Sequence, residues 1–124
     1  MNAHFERNSI SDELLLAVFD MPVTFHRCLV PVAGGVTGAL MLSQAIWLTE
    51  TQEGASDGWF MCSQEQWTQE TGLTRWEQET ARRALRRAGL LVERRLGMPA
   101  KLWVRVCPGA VMRALQASVD QGGR

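Results

Sequence analysis

The sequence has no tyrosine, no CxxC pair and only two histidines, His4 and His26. Its three cysteines, Cys28, Cys62 and Cys107, are odd in number and far apart. These shortages argue against a disulfide framework and a zinc site, and favour reduced thiols in a cytoplasmic protein. We therefore expect no metal and no cofactor. Long hydrophobic runs are missing too. The longest apolar stretch, Gly38 to Leu48, is interrupted by Ser43 and Gln44 and falls short of a bilayer span. Residues 1–8 lack the basic-then-apolar order of a secretory leader. Gly34-Gly35 has no G-x-x-x-x-G-K-S/T continuation and reads as a hinge. No Ser/His/acid set has a recognisable context. His26 beside Cys28 reads as incidental, and Glu65 and Glu70 as solvent-facing charges. The expectation is a protein that is not an enzyme.

Net charge is the last absence, because 13 basic and 13 acidic residues cancel. What is present is their sorting. Residues 1–70 carry nine acids and two bases, a charge of −7. Residues 71–106 carry nine bases (Arg75, Arg82, Arg83, Arg86, Arg87, Arg94, Arg95, Lys101, Arg105) and three acids (Glu77, Glu79, Glu93), a charge of +6. A polyanion responds to the local field of such a block rather than to the sum. At 124 residues, 46% hydrophobic and 21% charged, the chain is most simply one globular domain with one core.

Ser11-Asp12-Glu13 opens an apolar run, Leu14 to Phe19, which predicts a helix over about 11–20 that Met21-Pro22 stops. Val23 to Val32 fits either an extended arm or a short helix. Thr37 to Thr49 predicts a helix that is apolar on most sides and so central to the core. Trp59 to Met61 is a short strand. Ser63 and Gln66 form a capping box for a helix Gln64 to Thr71 that buries Trp67. Gly72-Leu73 is a tight turn. Thr74 and Glu77 form a second capping box, for a helix running to Ala88 and closed by Gly89. A short helix, a Gly-containing turn and a longer helix is the helix-turn-helix pattern. Leu90 to Leu96 and Lys101 to Val106 then read as a hairpin about Gly97 to Ala100, ended by Pro108. Ala110 to Val119 reads as a last amphipathic helix.

At about 100° per residue, Glu77, Thr80, Ala81, Ala84, Leu85 and Ala88 share one side of the basic helix, with the alanines and Leu85 toward the core. Arg75, Gln78, Glu79, Arg82, Arg83 and Arg86 cover the rest, and Arg87 lies on a flank. In a DNA complex the helix start enters the major groove. That placement puts Thr74, Arg75, Gln78, Glu79 and Arg82 nearest the base edges, where Arg suits guanine and Gln adenine. Arg83 and Arg86 are placed at phosphates. Arg94, Arg95 and Lys101 of the hairpin lie along the backbone or the minor groove. The bland alternative is a solvated face, with Glu79 pairing Arg75, Arg82 and Arg83. Trp47, Trp59, Trp67 and Trp76 are expected in the core. Trp103 is either exposed on the hairpin or packed on the last helix.

The segments Ala39-Leu40-Met41-Leu42-Ser43-Gln44-Ala45-Ile46-Trp47, Gly58-Trp59-Phe60, Thr71-Gly72-Leu73-Thr74-Arg75, Glu77-Gln78-Glu79-Thr80-Ala81-Arg82, Gly89-Leu90-Leu91 and Gly97-Met98-Pro99-Ala100-Lys101-Leu102 occur in order. Together they resemble the winged-helix domains of phage and mobile-element replication, or replisome-organiser, proteins. The resemblance spans roughly Gly34 to Val106. It implies an order of helix, short strand, helix, turn, recognition helix and wing, with Trp59–Met61 paired to the strand Lys101–Val106. It also implies DNA binding in replication or gene control. Proteins of that kind usually carry a further domain, and small chains of this fold also bind proteins or block a host system.

The expected fold is therefore α+β, mainly α: a winged helix-turn-helix over residues 34–106. Residues 1–33 form an N-terminal extension, and residues 107–124 a C-terminal helix and tail. The expected function is non-enzymatic binding of double-stranded DNA for a phage or mobile element. The alternative is a protein-binding adaptor or inhibitor, using the acidic N-terminal half. A homodimer through residues 11–33 or the terminal helix is a third expectation. No membrane association is expected.

Overall fold

The computed structural model describes residues 11–13, 22–52 and 57–122. The fold is α+β and mainly helical. A 3-10 turn, Arg27–Leu29, leads into helix α1, Val30–Ala33, and then helix α2, Val36–Thr51. Strand β1, Trp59–Met61, follows, then helices α3, Gln64–Thr71, and α4, Arg75–Arg87. Strands β2, Leu91–Leu96, and β3, Lys101–Val106, precede helix α5, Pro108–Gly122. Within the ambiguous stretch 23–32, the first residues are irregular and the last form the 3-10 turn and the start of α1. The helix expected over 11–20 lies outside the described residues, apart from Asp12 and Glu13, which are helical.

Helix α2 is the centre of the core, because its apolar side chains run almost all round it. Ala39, Met41, Leu42 and Ala45 are fully buried. Its polar residues are used internally. The Ser43 hydroxyl accepts from the His26 backbone N–H at 3.0 Å, and the Gln44 amide donates to Glu70 at 2.7 Å. Glu70 is therefore a partner of the core helix, whereas Glu65 is solvent-facing as expected. At Gly38 a Cβ would stand 2.6 Å from the Ala33 carbonyl oxygen, so only glycine lets α1 fold back this closely. No single described helix is long and apolar enough to cross a membrane.

The sheet order is β1-β3-β2, antiparallel throughout. Phe60 lies opposite Val104 and Trp59 opposite Arg105, so β1 joins β3 as an edge strand. Gln52 fastens that edge: its amide donates to Met61 O at 2.7 Å and accepts from Met61 N–H at 2.9 Å. In β2, Leu91, Glu93 and Arg95 alternate onto the face shared with Leu102, Val104 and Val106 of β3, which is turned to the helices. Val92 and Arg94, with Trp103 and Arg105, take the other face. Trp103 is thus half-buried on the outer sheet face, opposite Arg94 and Met61 in the register. The hairpin closes with Leu96 opposite Lys101. Pro108 does more than end β3, because it is the first residue of α5, where its missing N–H costs nothing.

Candidate nucleic-acid interface

Two capping boxes build the central pair of helices. The Ser63 hydroxyl accepts from Gln66 N–H at 3.1 Å, and the Gln66 side chain returns to Ser63 N–H. At α4 the Thr74 hydroxyl accepts from Glu77 N–H at 3.2 Å, and the Glu77 carboxylate accepts from Thr74 N–H at 2.8 Å. Between them Gly72, at φ +79°, ends α3 in a conformation most side chains avoid. The chain therefore turns sharply, and α4 emerges with one face against α2 and the hairpin beside it.

That buried face consists of Gln78, Ala81 and Leu85. Two expectations are corrected here. Gln78 does not stand at the surface to read bases: it is 1% exposed. Its amide donates to Gln64 O, Thr68 Oγ1 and Leu73 O at 3.2, 2.9 and 3.1 Å. It ties α4 to α3 and the turn, where the Thr68 hydroxyl also donates to Leu73 O at 3.0 Å, so the buried amide joins a local network. Ala84 and Ala88, expected inward, are exposed, since the side taken by Gln78 rotates them out.

The arginines divide. Arg82 Nε lies 3.4 Å from Glu93 Oε2, and the two side chains are only 12% and 8% exposed. Arg86 donates to the other Glu93 oxygen. Glu93 is thus a clamp from β2 onto α4. Arg82 is held away from base edges and Arg86 is held to a carboxylate rather than offered to phosphate, which corrects both expected placements. Strand alternation carried the missed signal: Glu93 shares its face with Leu91, so it had to point at the helices.

The remaining cations are outward. Arg75 is 75% exposed at its side chain, with a loose 3.9 Å approach to Glu79. That is the single Glu79 pair among the described residues; Glu79 does not reach Arg82 or Arg83. Arg83, Arg87, Arg95 and Lys101 are exposed with no carboxylate within 4.0 Å among the described residues. Thr74 is exposed at the helix start, its hydroxyl committed to the cap. Arg94 lies over the Trp59 ring, 4.2 Å from its centroid. Arg87, placed on a flank by sequence, belongs to the middle of the outward face with Arg83.

Trp76 was expected in the core and is 73% exposed. The helical spacing that pairs Arg83 with Arg87 also places Trp76 within about 40° of both, so the wheel carried this signal. Trp47, 39% exposed, is likewise outside the core. Trp59 is half-buried beneath Arg94, and Trp67 alone of the four is fully buried, edge-on to Phe60 at 6.3 Å between ring centroids. The outward surface of α4 thus combines Arg75, Trp76, Arg83 and Arg87. A cleft of about 410 Å³ separates the start of α4 from the hairpin tip, lined by Arg75, Arg82, Arg95 and Lys101.

Cys28 is exposed and Cys62 buried. Burial, and secondarily the charge of Glu70, pushes the Cys62 thiol up from 9.0 to about 12. Among the described residues no three His, Cys, Asp or Glu side chains converge as a metal site. No protein-family model, no curated protein and no solved structure matches the chain.

Proposed function

We propose that the protein is a non-enzymatic DNA-binding protein of winged helix-turn-helix form, with α4 as recognition helix and the β2–β3 hairpin as wing. Helix α1 and the residues before it extend the domain at one end, and α5 at the other. The element order α2, β1, α3, turn, α4, β2, β3 supports that form, and β1 lies beside β3 as the resemblance to replication-protein domains implies. The observation that carries the function is the row Arg75, Arg83 and Arg87, which leads off α4 while Arg95 and Lys101 rise from the hairpin across the cleft. Cations on two adjoining elements, with a carboxylate near Arg75 alone of the five among the described residues, suit the backbone of a duplex. The role fits a small replication or transcription factor of a phage or mobile element, working in the cytoplasm with reduced thiols.

Binding to mixed-sequence duplexes across a salt series tests this reading. The expected result is an affinity that falls steeply with salt, and a shallower slope for Arg83→Gln with Arg87→Gln. A flat salt response of the wild type overturns it.

Trp76 and Val36, 73% and 63% exposed beside the groove between α4 and the start of α2, favour a second reading as a protein-binding adaptor or host-system inhibitor. Trp76→Ala separates the two. Loss of a nuclease-resistant protein partner with unchanged duplex affinity supports the adaptor.

A further inference from the structure

We propose that the cleft between the start of α4 and the hairpin tip is a binding site for a single phosphate group. Four cationic side chains from three places in the sequence line it: Arg75 and Arg82 from α4, Arg95 from β2 and Lys101 from β3. No carboxylate lines it among the described residues. Glu93 offsets Arg82 from the β2 side and Glu79 loosely offsets Arg75 at 3.9 Å, which leaves Arg95 and Lys101 in excess.

A second observation is independent of charge. Trp67 also lines the cleft, and its indole N–H is buried without a hydrogen-bond acceptor among the described residues. Arg82 Nε differs, because it is buried together with the acceptor Glu93 Oε2 at 3.4 Å, near enough for ion pairing but not aligned as a hydrogen bond. The indole N–H donates and cannot accept. Buried donors without acceptors are rare and unfavourable. What the indole lacks is therefore an acceptor, and what surrounds the cleft is positive. A tetrahedral oxyanion meets both conditions: it offers several acceptor oxygens, and arginine forks match its edges. Phosphate suits the cationic lining better than a carboxylate does, because it spreads its charge over more oxygens.

The oxyanion site stands on this geometry, whereas assigning its occupant to a DNA strand rests on the reading of the protein as a DNA binder. On that reading the cleft grips one backbone phosphate and fixes the register of α4 on the duplex, while Arg83 and Arg87 follow the strand without fixing it.

The test uses the full chain, wild type and Arg95→Gln with Lys101→Gln, with unchanged melting temperature as the folding control. Inorganic phosphate is titrated at constant ionic strength and followed by phosphorus NMR. Duplexes with and without a 5′-phosphate, and a series each carrying one neutral methylphosphonate, are followed by fluorescence anisotropy. We expect saturable phosphate binding by the wild type and its loss in the double variant. Duplex affinity falls about tenfold in that variant, and one methylphosphonate position that weakens the wild type stops mattering. Dependence on the 5′-phosphate instead assigns the same site to a strand end. If the duplex binds, but no methylphosphonate position stands out and the double variant still binds inorganic phosphate as the wild type does, the phosphate site is overturned and DNA binding stands. If phosphate binds and the duplex does not, the DNA reading falls and the oxyanion site remains.

Discussion

Arg82 and Arg83 are the same residue type one step apart, as are Arg86 and Arg87, yet the two members of each pair have different fates. Arg82 and Arg86 face the hairpin and share the carboxylate of Glu93. Arg83 and Arg87 face solvent. A step of about 100° along a helix separates a clamp from a free cation. The lesson is that a count of positive residues overstates a binding surface by whatever the fold spends on itself. Here the β2–β3 hairpin is fastened to α4 by the same chemistry that both elements offer outward, so the relative position of helix and hairpin is set by an ion cluster as well as by apolar packing.

The sharpest way to break this comparison is to remove the clamp. Glu93→Ala leaves Arg82 buried without its counter-charge, and we expect a loss of about 3 kcal/mol in chemical unfolding. An unchanged midpoint shows that the cluster holds nothing together. Next comes Gln78→Ala, which removes the buried amide that bonds α4 to Gln64 O, Thr68 Oγ1 and Leu73 O. About 2 kcal/mol of stability is expected to go, with base preference unaltered on a panel of duplexes. A shift in base preference instead restores Gln78 as a reader. The arginine pairs then give a direct contrast. Arg83→Gln with Arg87→Gln lowers duplex affinity about tenfold near 0.1 M salt and leaves stability within about 0.5 kcal/mol. Arg82→Gln with Arg86→Gln does the reverse, lowering the melting temperature first. Equal behaviour of the two pairs erases the distinction.

The smallest effect contrasts the thiols. The raised Cys62 value means the folded state holds its proton while the unfolded chain ionises. The stability from this group is full below pH 9.0 and declines as pH rises toward about 12. At pH 8, iodoacetamide is expected to label exposed Cys28 in the native protein and Cys62 only after unfolding, as peptide mass mapping can show. Equal native labelling refutes it.

Local features were legible because they are written in adjacent residues. Ser63 with Gln66 and Thr74 with Glu77 announced both helix starts, and Gly72 and Gly89 both ends. The turn-rich Gly97 to Ala100 between two strand-like runs announced the hairpin. The outward face of α4 was less legible. Alanine says little about direction, so Ala84 and Ala88 were placed inward with Ala81, and the polar Gln78 was placed outward. The expectation that Trp76 joins the other tryptophans in the core fails, because it lies on the same side of α4 as Arg83 and Arg87. The partners of Gln78 come from α3 and the turn, and the partner of Arg82 and Arg86 comes from β2, none of which a helical wheel contains.

What the sequence determined by itself is the order and ends of these elements and the segregation of positive charge into residues 71–106, because capping, turns and periodicity act over a few neighbours. What only the tertiary structure decided is which arginines remain available, since ion pairing and burial depend on what a second element brings alongside. Glu93 reaches α4 through space, and that approach turned two cations into a fastening and left the others to face outward.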